Sequence, residues 1–253
     1  MSRLEGKKAV VIGSGTGIGR AVVQLFAREG ADILAADHGK DDELASLRAE
    51  VEAMGQTCLT AAVDVRNPAE IDAAIARAHE AFGRIDVLVN NAGVSAPKKP
   101  FQEHDAAVWD AVLSVNLMGV AHAMRAVVPI MLAQGSGSII NTASQLAHKP
   151  APGNSIYCAS KAGVVALSVS VAQEVAADGV RVNIVCPGPI DTPMWRTGAA
   201  GNPAWAEWKL NSLPAKRLGT PEEAAHAYVY LASDESTYMI GQSVSPNGGD
   251  VMW

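Results

Sequence analysis

This chain has little of several things. Its three cysteines, Cys58, Cys158 and Cys186, are scattered and odd in number, and no C-x-x-C pair occurs. Neither a disulfide framework nor a zinc site is therefore expected, no other metal site is suggested, and a reducing cytoplasm suits the composition. Basic residues are outnumbered, with 20 Lys and Arg against 26 Asp and Glu. Lys98-Lys99 is only a doublet, so the electrostatic footprint of a nucleic-acid binder is missing. Long apolar runs are absent as well. The run after the N-terminal segment is broken by Gly13, too early for a signal-peptide core, and no apolar segment is expected to approach the length needed to span a bilayer. Repeats, low-complexity tracts and dividing linkers are lacking too, which leaves a single domain over 1–253 as the expectation.

What remains is a rhythm. Short apolar or β-branched runs at 9–12, 33–36, 58–63, 85–89, 138–142, 180–186 and 242–245 suit strands covered on both faces. Between them, helical spacing occupies 18–29, 41–54, 68–82, 105–132, 155–177 and 221–231. Pro68 and Pro221 fit first helical turns, while Gly30, Gly55, Gly83 and Gly179 follow helices as stop signals. Alternating strand and helix predicts an α/β Rossmann-type fold: a doubly wound, seven-stranded parallel sheet with helices on both faces. Residues 188–214, rich in Pro, Gly and Trp and without clear periodicity, are expected to form an irregular substrate lid or binding loop.

The first strand runs directly into Gly13-Ser14-Gly15-Thr16-Gly17-Ile18-Gly19, where a helix begins. Glycines let the backbone turn tightly and approach a pyrophosphate, whose charge is favoured at the helix N-terminus. At the end of the second strand stands Asp37, placed to bond the ribose hydroxyls of an adenosine and to repel a 2′-phosphate. NAD is therefore expected rather than NADP, since Thr16 has no charge and only a protonated His38 could oppose the choice.

Tyr157 and Lys161 lie one helical turn apart and share a face. A phenol titrates near pH ~10, so it serves as a base at neutral pH only where positive charge favours the phenolate. Lys161 can supply that charge, and the Ser144 hydroxyl can hold the oxygen whose proton is moved. The chemistry implied is alcohol–ketone interconversion. Such a pair arises often by chance; it is the glycine turn and Asp37 that give it a nicotinamide to work with.

Taken in order, the residues Gly13-x-x-x-Gly17-x-Gly19, Asp64-Val65, Asn90-Asn91-Ala92-Gly93, Asn116, Ser144, Tyr157-x-x-x-Lys161 and Pro187-Gly188-Pro189-Ile190-Asp191-Thr192 resemble the short-chain dehydrogenase/reductase family. Arg217-x-Gly219-x-Pro221-Glu222-Glu223 and Asn247-Gly248-Gly249 extend the resemblance over essentially the whole chain. It implies that Asp64 and Val65 meet the adenine, that Asn91, Ala92 and Gly93 line the middle of the cofactor, and that Pro187, Gly188, Ile190 and Thr192 hold the nicotinamide. Tyr157 and Lys161 would touch the cofactor as well. It also implies that Asn116 marks a local helix break exposing a backbone carbonyl, through which water links Lys161 to solvent. Two positions depart from the common pattern: Ile12 replaces a threonine before the first glycine, and Asn247 replaces an aspartate, both expected to be remote from the chemistry.

For the substrate the sequence offers candidates: Gln145, His148 and Asn154 near the Ser144 strand and Tyr157 helix, and Trp195, Trp205 and Trp208 in the 188–214 segment. Three tryptophans suit an apolar or sugar-stacking wall and equally suit packing of a lid; His148 is expected to be structural or exposed. The function expected is oxidation of a secondary alcohol, such as a polyol, sugar or small alcohol, or reduction of its ketone. The sequence also resembles 3-oxoacyl-carrier-protein reductases. A non-catalytic NAD-binding regulator is disfavoured by the intact Asn116, Ser144, Tyr157 and Lys161 set. A halohydrin dehalogenase is disfavoured by Lys161 and the glycine turn. By resemblance the assembly is a homotetramer built on the long helices at 105–132 and 155–177 and on the C-terminal segment ending at Trp253, with a small-molecule substrate and no nucleic-acid or membrane partner.

Overall fold

A computed structural model describes residues 2–252 of the chain; Trp253, expected at a subunit interface, lies outside them. In chain order the elements are β1 (Lys8–Ile12), α1 (Gly17–Arg28), β2 (Asp32–Asp37), α2 (Asp41–Ala53), β3 (Cys58–Ala62), α3 (Pro68–Phe82) and β4 (Val87–Asn90). There follow α4 (Ala106–Leu113), a π-helical segment Ser114–Met118, α5 (Gly119–Gln134), β5 (Gly137–Thr142) and α6 (Ser155–Val175). The chain ends with β6 (Val180–Val185), α7 (Pro193–Gly201), α8 (Pro203–Ser212), α9 (Pro221–Ala232) and β7 (Ser243–Val244). All seven strands are parallel in the order β3-β2-β1-β4-β5-β6-β7. The predicted doubly wound Rossmann sheet is present.

The side-chain alternation of a strand explains why both faces are covered. Along β1, Val10 and Ile12 point to one face and join Ile71 and Ile75 of α3, Val120 and Val127 of α5 and Val164 of α6. Ala9 and Val11 point to the other and join Val22 and Phe26 of α1, Leu44 and Leu47 of α2 and Tyr228 of α9. Turn chemistry sets the helix ends. Asn67 caps α3 by accepting from the Ala69 N–H at 3.2 Å, and Pro68 occupies the first turn. Thr220 and Glu223 form a reciprocal capping box on α9. Gly30, Gly55, Gly83 and Gly179, expected as stops, all adopt positive φ.

Two expectations are corrected. The 188–214 segment is helical over most of its length: Thr192 caps α7 and Asn202 caps α8, each followed by a first-turn proline. The Thr-Pro and Asn-Pro steps carry that signal, and it is overridden in a periodicity reading because neither helix presents a continuous apolar stripe to the core. Second, the stretches Ala106–Gln134 and Ser155–Asp178 are long and apolar enough, by length and composition, to cross a bilayer. Each instead lays one buried stripe on the sheet, through Val120, Ala123, Val127 and Met131 in the first and Val164, Ala172 and Val175 in the second.

Candidate active site

The sheet order changes direction between β1 and β4, and the crevice beyond their carboxyl ends is where ligands of open parallel sheets bind. The glycine turn is packed into that crevice. The Ile12 carbonyl accepts the N–H groups of Asn91 and Ala92 at 2.9 and 3.0 Å, and Asn91 Nδ2 donates to the Gly13 carbonyl at 2.7 Å. A Cβ on Gly13, whose φ is +85°, would lie 2.3 Å from the Ala92 nitrogen. One on Gly19 would lie 1.9 Å from the Gly13 oxygen. Thr16 begins α1 without a side-chain capping bond, so the first-turn amides of α1 are available to an anion such as a pyrophosphate. A bare backbone cradle at a helix N-terminus fits a dinucleotide.

Asp37 closes one side of the turn. Its Oδ2 accepts from the Gly15 N–H at 2.7 Å and its Oδ1 from the His38 N–H at 2.8 Å. Sequence reading missed two cations beside this carboxylate. The Lys40 Cβ lies 2.9 Å from the position a Gly15 Cβ would take, and its ammonium pairs with Glu43 at 3.1 Å. Arg20 on α1 pairs with Glu50 at 2.6 Å. Farther along, the Asp64 carboxylate is held by Arg66, whose hydrogen bonds keep its pKa down at about 2. Val65 packs where a Cβ on Gly119 would come within 2.8 Å, tying the segment after β3 to the start of α5.

The reacting cluster assembles from β5 and α6. Lys161 is buried, and its Nζ donates to the Thr142 carbonyl at 2.8 Å while lying 5.9 Å from the centre of the Tyr157 ring. The Ser144 hydroxyl acts on the Tyr157 phenol in the direction that favours its ionised form, and accepts from the Leu146 N–H at 3.1 Å. Desolvation pushes the phenol up to about 12 against the opposing Ser144 hydroxyl, and pushes the Lys161 ammonium down to about 8. The balance thus differs from the sequence expectation. In the chain by itself burial outweighs any lowering of the phenol by Lys161, so at neutral pH Tyr157 is a proton donor.

Asn116 sits in the π-helical segment, the local break that the family resemblance implied. Its buried side chain clamps the backbone of Val94, with Oδ1 accepting from the Val94 N–H at 2.8 Å and Nδ2 donating to the Val94 carbonyl at 3.0 Å. Nδ2 also donates to Ser160 Oγ at 3.1 Å. A Cβ on Gly93 would stand 3.4 Å from both Asn116 Oδ1 and Lys161 Nζ, so Asn116, Gly93 and Lys161 converge.

The Pro187–Thr192 motif links this cluster to α7. The Pro187 carbonyl accepts from the Gln145 N–H at 3.0 Å, Ile190 bridges Gly219, and Thr192 Oγ1 accepts from the Trp195 N–H at 3.3 Å. Gly188 abuts Asn247 so closely that a Cβ would lie 2.6 Å from the Asn247 Cα. Asn247, expected to be remote from the chemistry, therefore lies directly beneath that motif.

The substrate candidates divide. Gln145 is buried and donates to Asp250, which also pairs with Lys209 of α8. Trp195 and Trp205 stack at 5.3 Å with a 41° tilt. Trp208 is 62 % exposed and does not join them. His148 is exposed and bonds Ser243 Oγ at 3.3 Å, as befits a structural side chain. Asn154 donates to the Pro152 carbonyl at 3.0 Å just before α6. Lys98, Lys209 and Asp250 were missed. Lys98 Nζ lies 2.9 Å from the Trp205 ring centre, a contact between residues too far apart in sequence for spacing to reveal.

A glycine cradle at the switch crevice and an acid–base trio at the same sheet edge define an oxidoreductase that works on CH–OH groups with a nicotinamide cofactor. Comparison with known proteins agrees. The family described as Enoyl-(Acyl carrier protein) reductase matches residues 12–250. The 3-oxoacyl-(acyl-carrier-protein) reductase FabG of Thermotoga maritima is 41% identical over 99% of this chain and 100% of its own length. The cis-4-hydroxycyclohexanecarboxylate dehydrogenase of Sinomonas cyclohexanicum is 39% identical over 95% of each chain. The crystal structure of levodione reductase superposes with a TM-score of 0.94 at 34% identity, covering 98% of each chain. The chain belongs to the short-chain dehydrogenase/reductase family.

Proposed function

We propose that this protein is a cytoplasmic, NAD-dependent dehydrogenase that oxidises a secondary alcohol of the polyol, sugar or small-alcohol type, in the reversible sense. The preference for NAD is carried by Asp37, whose carboxylate closes on the Gly15 amide where an adenosine ribose would be received and where a 2′-phosphate would be repelled. Lys40 and Arg20 are the nearby cations, and both are already paired with carboxylates. The glycine turn, Asp64 and Val65, Asn91 to Gly93 and Pro187 to Thr192 hold the cofactor along the sheet edge. Three free, buried thiols suit a reducing compartment.

In oxidation, Ser144 and Tyr157 grip the substrate oxygen, and Tyr157 in its ionised form takes the hydroxyl proton; the positive charge of Lys161 and of an oxidised nicotinamide favours that form against burial. Bound nicotinamide supplies the hydride acceptor. Lys161, one turn away and held by the Thr142 carbonyl, offsets the charge of the tyrosinate before it takes that proton, and Asn116 positions the loop at Gly93 and Val94 beside that ammonium. In reduction the protonated phenol is the donor, the form that burial favours. The domain spans 1–253, with 188–214 acting as the substrate lid.

Alcohol oxidation is supported by the relatives named for hydroxycyclohexanecarboxylate and 2-(R)-hydroxypropyl-CoM oxidation. A second reading, 3-oxoacyl-carrier-protein reduction, is favoured by the Thermotoga relative. A screen of alcohols, polyols, sugars and 3-oxoacyl thioesters with each cofactor separates them. NAD⁺ should exceed NADP⁺ in kcat/KM by roughly tenfold or more, and Asp37→Ala should erase most of that margin. Equal turnover with both cofactors would remove the role given to Asp37, and thioester reduction without alcohol oxidation would favour the second reading.

A further inference from the structure

We propose that the substrate bears a carboxylate and that Lys98 receives it, beside the paired indoles of Trp195 and Trp205; this rests on the alcohol-dehydrogenase reading above. Lys98 stands with its ammonium against the Trp205 face, and among the described residues no carboxylate pairs with it. Its neighbour Lys209 does have a counter-ion, Asp250. Although Lys98 is exposed, its ammonium lies against an apolar ring and near a second lysine, and its pKa is held below the ordinary value by partial burial first and by Lys209 second. An incoming carboxylate would offset both.

Both lysines are tied, through different elements, to segments that adjoin the reacting cluster in the chain. The Lys98 Cβ and the Lys99 backbone lie within 4 Å of where a Cβ on Gly153 would stand, four residues before Tyr157. Lys209 connects through Asp250 to Gln145, the residue after Ser144. Gln145 provides a separate sign of a built polar site. It is 5% exposed, its amide nitrogen is committed to Asp250, and its side-chain oxygen has no partner among the described residues. That oxygen offers a buried acceptor beside Ser144 for a substrate hydroxyl. Between the two polar ends, the paired indoles suit an apolar body. The occupant that satisfies all three is a secondary alcohol with an apolar middle and an acidic end.

The test compares a graded series of (ω−1)-hydroxycarboxylates, each beside its methyl ester, in NAD⁺ reduction by the parent, Lys98→Met and Lys98→Arg. The best acid should surpass its ester about tenfold in kcat/KM, and Lys98→Met should raise KM for the acid about tenfold while leaving the ester unchanged. Lys98→Arg should keep much of the preference, and added salt should erode it. Esters oxidised as well as acids, or acid and ester losing equally in Lys98→Met, would overturn the proposal and make Lys98 a packing residue. In that event the dehydrogenase reading stands on the ester turnover. If neither the acids, the esters nor any other secondary alcohol is oxidised with either cofactor, the dehydrogenase reading falls and this proposal with it.

Discussion

Lys161 is held where its charge is unfavourable. Buried and bonded to one backbone carbonyl, its ammonium is pushed down to about 8, whereas the unfolded chain keeps it near its ordinary 10.5. Between those values the unfolded state binds the extra proton, so stability should rise with pH across the window. The slope expected from this one group is about 1.4 kcal/mol per pH unit. In Lys161→Met that slope should vanish and turnover should be lost, as seen by denaturant unfolding at several pH values from 8 upward. A variant with the parental slope would show that Lys161 is not the buried cation inferred here. Tyr157→Phe separates chemistry from binding: it should keep NAD binding and lose about a hundredfold or more of turnover, since it removes the acid–base oxygen alone. Near-parental activity would sink the assignment. Tyr157 and Lys161 could be read from sequence because they share one helical turn. Lys98 could not, because its meeting with Trp205 depends on how α8 lies over the loop after β4.

At the scale of elements, the glycine turn, α1 and β4 form one unit. The Gly19 to Gly13 approach has no room for a methyl group, so Gly19→Ala must shift the start of α1 away from β1. Nucleotide binding, followed by calorimetry, should fall by at least about tenfold while circular dichroism stays close to parental, because the hydrophobic contacts of α1 lie farther along the helix. Unchanged affinity would place the cofactor elsewhere. The helix-period signal over 105–132 proved to be two α-helices joined by a π-helical segment at Asn116. Apolar periodicity alone does not reveal the extra residue, since the stripe continues on both sides; what calls for the break is the pairing of Asn116 with Val94, a tertiary contact. Helices α7 and α8 escaped for the opposite reason, having good caps and no buried stripe.

For the whole molecule, the outer faces of the long helices remain to be accounted for. On α6, Ala162 and Ala166 are exposed and Val165 and Val169 are only partly covered by the core, and Leu132 at the end of α5 is 37% exposed. We propose that these faces pair with other copies of the chain in a homotetramer, as the family resemblance implied, because apolar surface of this extent is stabilised by burial. Light scattering at micromolar concentration should give four times the 26.3 kDa chain mass; a monomer would contradict it.

By itself the sequence determined the alternation of strand and helix, the glycine turn with its following helix, and the Tyr157–Lys161 pair. Each is written in local spacing: apolar runs, helix signals, and residues one turn apart. Only the tertiary structure decided what those pieces face. It brought Gly13 against Ala92, Asn116 against Val94, Asn247 beneath Gly188, and Lys98 over Trp205. Such contacts join segments distant in the chain, and they exist only because the parallel sheet gathers the carboxyl ends of its strands along one edge.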